Sequence, residues 1–252
     1  MTARHCHNRG FKLANSLFFR SLGVYAPKSR SQPLSITRRA FTVALSWTGL
    51  AVVTGLFSPL RLITEAMAQT AADVAKPVSL PDMALGPANA SVTITEFASM
   101  TCPHCAAFNA EVFPKIKSTY IDTGKVRYIF REFPLDIKAA AGSMLARCIA
   151  KGDANKYFTV VDLLFRSQAD WVMKDTTATL TRIGKQAGLS QKEVEDCLKD
   201  QSLLDKIAAD QKYASEVLKV NSTPTFFING EEIKGEASFD EFDKKIKALL
   251  KS

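Results

Sequence analysis

The sequence predicts an α/β domain in which a long helical stretch separates a βαβ unit from a ββα unit. Three observations carry that prediction. Residues 82–133 pass from strand-like to helix-like and back to strand-like periodicity. Residues 136–220 read as successive helices. Residues 225–249 then return to strand, tight turn, strand and helix.

Taken in order, Asp82 to Leu85 suggests a short edge strand, closed by Gly86-Pro87. Val92 to Phe97 alternates, with Val92, Ile94 and Glu96 on one face and Thr93, Thr95 and Phe97 on the other. A helix over Ala106–Tyr120 carries Phe108, Val112, Ile116 and Tyr120 at helical spacing, with Pro114 expected to kink it. Val126 to Phe133 is the next strand, stopped by Pro134. Strand, helix, strand implies a parallel pair with a right-handed crossover. Helices are expected over 136–151, 154–168, 176–187, 191–199 and 202–219. Ser190 with Glu193 offers a capping box, and Gly188 a C′ position. Thr225 to Ile228, the Asn229-Gly230 turn and Glu232 to Lys234 form a hairpin. The last helix starts at Ser238, capped with Glu241, and its apolar stripe is Phe239, Phe242, Ile246 and Leu249. This order is that of a thioredoxin fold with an all-helical domain inserted. Its halves are 81–135 and 206–252, the insertion is 136–205, and 69–80 reads as a linker.

The net charge of +8 belongs to the N-terminal leader. Residues 1–68 hold nine of the 33 basic residues and one of the 25 acidic ones, so residues 69–252 are neutral with 24 of each. That removes the electrostatic argument for a nucleic-acid partner. The leader itself reads as a removed targeting signal. A basic region runs to Arg39, an apolar stretch covers Ala40 to Leu60, and Ala66-Met67-Ala68 offers a cleavage site. Thr37-Arg38-Arg39-Ala40-Phe41 resembles the twin-arginine export pattern. The alternative is an uncleaved anchor, since the charge-free stretch is long enough to span a bilayer. Both routes deliver the remainder outside the cytoplasm.

Of five cysteines, Cys6 falls in the leader, leaving Cys102, Cys105, Cys148 and Cys197. An even count in an exported chain suggests pairing. Spacing favours 102–105, which leaves 148–197 as a second bridge or as two buried thiols. Cys102-Pro103-His104-Cys105 stands at a strand-to-helix junction, where free N–H groups and the helix dipole stabilise a thiolate. Zinc would need a second ligand pair, and His5, His7, Cys148 and Cys197 are poorly spaced for one. A purely structural disulfide would not need the helix start. A redox pair does.

Four features in order, Glu96 six residues before the first cysteine, Cys-Pro-His-Cys, the helical insertion and Thr223-Pro224 before the hairpin, resemble the DsbA family of bacterial thiol–disulfide oxidoreductases. The resemblance covers nearly all of residues 80–252. It implies an exposed nucleophilic Cys102, a shielded resolving Cys105, and His104 and Pro103 tuning the first helical turn. Pro224 would be a cis-proline that, with Thr223, binds an extended substrate segment. Glu96, in phase with Val92 and Ile94, would be a buried acid exchanging protons with Cys105. The expected function is a periplasmic, monomeric oxidase without cofactor or metal. It would act on reduced exported proteins and be reoxidised by a DsbB-type quinone-linked membrane partner. A disulfide isomerase or reductase kept as dithiol, or a holdase with structural cysteines, are the competing readings.

Overall fold

The structure, a computed structural model, describes residues 70–76, 78–235 and 237–251. The leader with its twin arginines, apolar stretch and cleavage site, and with His5, Cys6 and His7, lies outside the described residues. These described residues all fall within one compact unit. No helix among them is long and apolar enough to cross a membrane.

Five strands form one sheet in the order β1-β3-β2-β4-β5. They are β1 (Met83–Leu85), β2 (Val92–Ala98), β3 (Val126–Glu132), β4 (Thr225–Ile228) and β5 (Glu231–Lys234). β2 and β3 are parallel and every other pairing is antiparallel. This is the thioredoxin fold expected from the element order. β2 and β4 are buried on both faces, so the neighbours of Glu96 across the ladders are Phe130 and Phe226. One face packs Ile94, Tyr128, Phe130, Phe226 and Ile228 into the main core. The other packs Phe97, Phe133 and Phe227 with Ala214, Leu218 and Val220.

Residues 70–75 are helical (α1), where the sequence suggested a linker. Val74 is buried in that second cluster. Tyr213 Oη donates to the Asp73 carbonyl (2.9 Å) and Arg131 Nη1 to that of Val74 (2.9 Å). The Ser79 and Leu80 N–H groups bond to the Asp210 carboxylate at 2.6 and 3.1 Å. A single buried valine and alanines give too little periodicity to announce a packed helix.

The helix after β2 differs from expectation at both ends. α2 (Pro103–Glu111) begins within the Cys-Pro-His-Cys motif, and α3 (Phe113–Ile116) follows a break at Val112. Pro114 has no N–H to give to Ala110, so the first helix stops before it. A π-helical turn, Lys117–Ile121, completes the crossover.

The insertion holds α4 (Ile137–Ala150), α5 (Ala154–Arg166), α6 (Gln168–Met173), α7 (Thr176–Gln186) and α8 (Gln191–Leu198). α9 (Gln201–Glu216) leads back to the sheet and α10 (Phe239–Leu249) closes it. Ser190 and Ser238 both form complete capping boxes, with Glu193 and Glu241. α6 is separated from α5 by Ser167 and was not foreseen. The expected boundary at 205 falls inside α9, whose Ile207 packs with Leu80 and Met144 while its Ala214 joins the back-face cluster.

Two devices tie the insertion together and to the sheet. Cys148 on α4 and Cys197 on α8 are joined by a disulfide, with Cα atoms 6.0 Å apart. At the end of β3, buried Glu132 accepts from Arg147 Nε (2.5 Å) and Nη2 (2.7 Å) and from Tyr157 Oη (2.6 Å). Arg147 Nη1 also reaches the Pro81 carbonyl at 3.0 Å, so this buried pair is hydrogen-bonded across four segments.

Candidate active site

Cys102 is the N-cap residue of α2, with extended backbone (φ −77°, ψ 122°) and no side chain capping the helix end. Pro103 occupies the first helical position, where its missing N–H is no loss. The Cys102 carbonyl accepts the first helical bond from Ala106 at 3.2 Å. The next free N–H groups, those of His104 and Cys105, hydrogen-bond the Cys102 sulfur. The sulfur therefore takes the place of a capping oxygen.

The two cysteines are present as free thiols. Cys105 is fully buried, in keeping with a shielded second sulfur. Cys102 was expected to be exposed, yet only 5% of it is accessible. The covering element is the loop before β4, whose Thr223–Pro224 peptide is cis. Cys102 Sγ donates to the Thr223 carbonyl at 3.3 Å. The Thr223 hydroxyl is buried and has no other partner among the described residues, so it too is available to that sulfur. Pro103 and His104 are solvent-exposed at the helix start.

The electrostatics split the two thiols. Cys102 is lowered to about 5, chiefly by the hydrogen bond from the Cys105 thiol. Desolvation opposes this, and the Thr223 side chain and the Cys105 and His104 N–H groups add to it. His104 thus acts through its backbone. Cys105 is pushed far above the ordinary thiol range by burial, by its bond to Cys102, and by the charges of Glu96 and Cys102. Two identical side chains one helical turn apart have opposite preferences, one for thiolate and one for thiol.

Glu96 lies beneath them on β2, 3% exposed. Burial raises its carboxyl to about 8, the Tyr128 hydrogen bond works against this, and the Cys102 charge adds to it. Tyr128 Oη donates to Glu96 Oε2 at 2.5 Å, and Glu96 Oε1 is buried with no partner among the described residues. The structure thus brings Cys102, Cys105, Glu96, Thr223 and Pro224 to one place. Cys148 and Cys197 belong to the insertion instead.

Three residues of this neighbourhood were not singled out by sequence. Tyr128 is one. Gln168 of α6 donates its amide to the Met100 and Cys102 carbonyls at 2.9 and 3.0 Å. Thr101 donates to Asp136 Oδ2 at 2.7 Å, fastening the motif's loop to the start of α4. Tyr128 had a signal, since it shares the phase of Phe130 in β3, but pairing it with Glu96 requires the β2–β3 register. No group of His, Cys, Asp or Glu placed to hold a metal occurs among the described residues.

Residues 79–248 match the family model described as thioredoxin. Among solved structures, alpha-DsbA1 of Wolbachia pipientis superposes with a TM-score of 0.64 at 35% identity, covering 70% of this chain and 94% of that one. Oxidised BdbD of Bacillus subtilis gives a TM-score of 0.61 at 26% identity, covering 68% and 94%. Among curated proteins, "Disulfide bond formation protein D" of Bacillus subtilis is 30% identical over 171 residues, 66% of this chain and 76% of that protein. A Rickettsia bellii protein named "Putative protein-disulfide oxidoreductase" is 36% identical over 150 residues, 59% of this chain, and the match spans 57% of its length.

Proposed function

Because the chain belongs to the DsbA-like disulfide oxidoreductases of the thioredoxin family, we propose that its Cys102–Cys105 pair oxidises dithiols in reduced, exported client proteins. The observation that carries this reading is the split between the two thiols. A Cys102 that prefers thiolate stabilises the dithiol form, and a stabilised dithiol makes the disulfide a strong oxidant.

A client thiolate attacks Cys102 Sγ, and the Cys102–Cys105 bond breaks with its electron pair going to Cys105 Sγ. Cys105 takes the proton held by Glu96. The client's second thiolate then attacks the client sulfur bonded to Cys102, forming the client disulfide and releasing Cys102 as thiolate. The client dithiol loses two electrons and two protons. The enzyme takes both electrons; one proton restores Glu96 through solvent and the other stays in solvent. Cys102 leaves easily because the His104 and Cys105 N–H groups and the Thr223 hydroxyl receive its charge. The cis-proline loop supplies the Thr223 backbone as a rest for an extended client segment.

The setting is read as the periplasm, reached through the leader and its twin-arginine-like signal. The enzyme works as a monomer, and a DsbB-type quinone-linked membrane protein restores the disulfide. Trapping the redox state of Cys102 in cells tests the direction of flow: a predominantly disulfide enzyme fits the oxidase, and a predominantly dithiol one fits an isomerase or reductase. Cys102→Ser should abolish oxidation of a reduced peptide, and Cys105→Ser should accumulate mixed disulfides with clients. Wild-type-like oxidation by Cys102→Ser would sink the assignment.

A further inference from the structure

The Glu96 carboxyl is held from one side only. Tyr128 stands on β3 beside it, since the parallel register pairs Tyr128 with Ile94 and Glu96 with Phe130. Its hydroxyl donates to Oε2 at 2.5 Å, while Oε1 is buried with no partner among the described residues. The tyrosine ring cannot swing away. Phe113, just past the break after α2, packs on it with centroids 4.9 Å apart, and Phe158 of α5 lies at 6.0 Å. One clamp comes from α3, which follows the helix that carries the cysteines, and the other from the insertion.

We propose that Tyr128 is a positioning residue for Glu96, and that by occupying Oε2 it leaves Oε1 as the one oxygen that exchanges the Cys105 proton. This rests on the reading of Glu96 as the acid that serves Cys105. A carboxylate already accepting a strong bond at one oxygen is oriented and less basic there, so its bare oxygen becomes the proton site. When the active-site disulfide opens, the S–S electron pair goes to Cys105 Sγ and the proton on Oε1 follows, leaving a carboxylate that Tyr128 O–H stabilises. When the disulfide closes again, Cys105 gives that proton back to Oε1 as its sulfur bonds to Cys102.

The ionisable groups around the pair come from two elements, α2 and α5. α2 brings Cys102 and Cys105, both of which act on this site. α5 brings Tyr157, whose hydroxyl is committed to Glu132 at 2.6 Å and which feels the Glu96 charge. β4 faces Glu96 with Phe226, which is apolar. Among these, Tyr128 is the donor to the carboxyl, and removing its hydroxyl strips the carboxylate of that support.

Tyr128→Phe in the full chain tests this, since it keeps the ring between Phe113 and Phe158 and deletes one oxygen. Difference infrared spectroscopy of the carboxyl band in the dithiol protein should place the wild-type Glu96 midpoint at about 8. In Tyr128→Phe the midpoint should rise by about 1–2 pH units, the loss of one hydrogen bond to a charged group. Resolution of a Cys102 mixed disulfide by Cys105 should slow about tenfold or more at neutral pH. The Cys102 thiolate titration should stay in place. Replacing Tyr128 with 3-fluorotyrosine, a more acidic donor, should move the Glu96 midpoint downward, and this decides the matter if the phenylalanine variant folds poorly. Midpoints and resolution profiles that superpose on wild type, with only a fall in Tm, would make Tyr128 merely structural and overturn the proposal. If Glu96→Gln itself leaves resolution unchanged, the role of Glu96 falls, and this proposal with it.

Discussion

Cys102 shows how far backbone placement can tune one side chain. Its sulfur stands where an aspartate or serine oxygen would cap a helix, so a charge there is received by amides that have no other use. The largest single contribution comes from the Cys105 thiol. Cys105→Ser exchanges one donor for another and should shift the Cys102 midpoint only modestly. Cys105→Ala should raise it by a unit or more from about 5, read as thiolate absorbance against pH. The sign for stability follows from the same depression. In the folded dithiol protein Cys102 is ionised above about 5, and in the unfolded chain only above about 9. Cys102 therefore contributes stability to the dithiol form that grows as pH rises through that window, by up to roughly 1.4 kcal/mol per unit, and is lost as pH falls through the lower limit. Glu96, raised from 4.5 to about 8, opposes it between those two values. Denaturation of the reduced protein, referenced to the oxidised protein in which Cys102 does not titrate, should show that slope between pH 5 and 9. A flat difference would refute the depressed thiol.

At the scale of elements, α6 is short and consequential. Its Gln168 ties two carbonyls of the motif loop, Met100 and Cys102, to the insertion. Gln168→Ala should lower stability by about 1–2 kcal/mol in a urea titration, the usual worth of one to two side-chain hydrogen bonds. Because the Cys102 carbonyl is held directly, client oxidation should also slow; an unchanged rate would limit Gln168 to stability. The sequence showed nothing of this. Gln168 to Met173 makes fewer than two turns, too short for a 3.6-residue period to repeat, and Ser167 provides no capping bond. β4, the Asn229-Gly230 turn and the two Ser–Glu capping boxes were legible because their chemistry is local. The start of α2 was misplaced by three residues, because apolar periodicity begins at Ala106 whereas the fixed φ of Pro103 already begins the helix. Glu96 could be put on an apolar face by counting in twos. Its partner Tyr128 could not, since the match depends on how β2 registers against β3. The burial of Cys102 was hidden for a similar reason: the loop that covers it lies 121 positions away in the chain.

Across the whole molecule, the insertion is held by one covalent and one ionic fastening. The Cys148–Cys197 bridge closes a loop of 49 positions, which restricts the unfolded chain by roughly 3–4 kcal/mol in the chain-entropy model. Cys148→Ser/Cys197→Ser should lose about that much stability while retaining dithiol oxidation, measured by denaturant titration and a peptide assay. Loss of oxidation with the fold intact would mean that the bridge takes part in catalysis. Glu132→Gln leaves the Arg147 guanidinium buried opposite a neutral amide and should cost about 3–5 kcal/mol by the same titration, with Arg147→Met/Glu132→Leu recovering part of it. The near-complete enclosure of Cys102 reaches outside the protein altogether. A sulfur this recessed cannot be met by a cysteine on a rigid surface; the partner must bring its thiol on a strand thin enough to lie beside the Thr223–Pro224 loop. Under the proposed function such an opening would gauge its clients' disorder, admitting a cysteine while its chain is still loose and turning it away once folding has locked it in place.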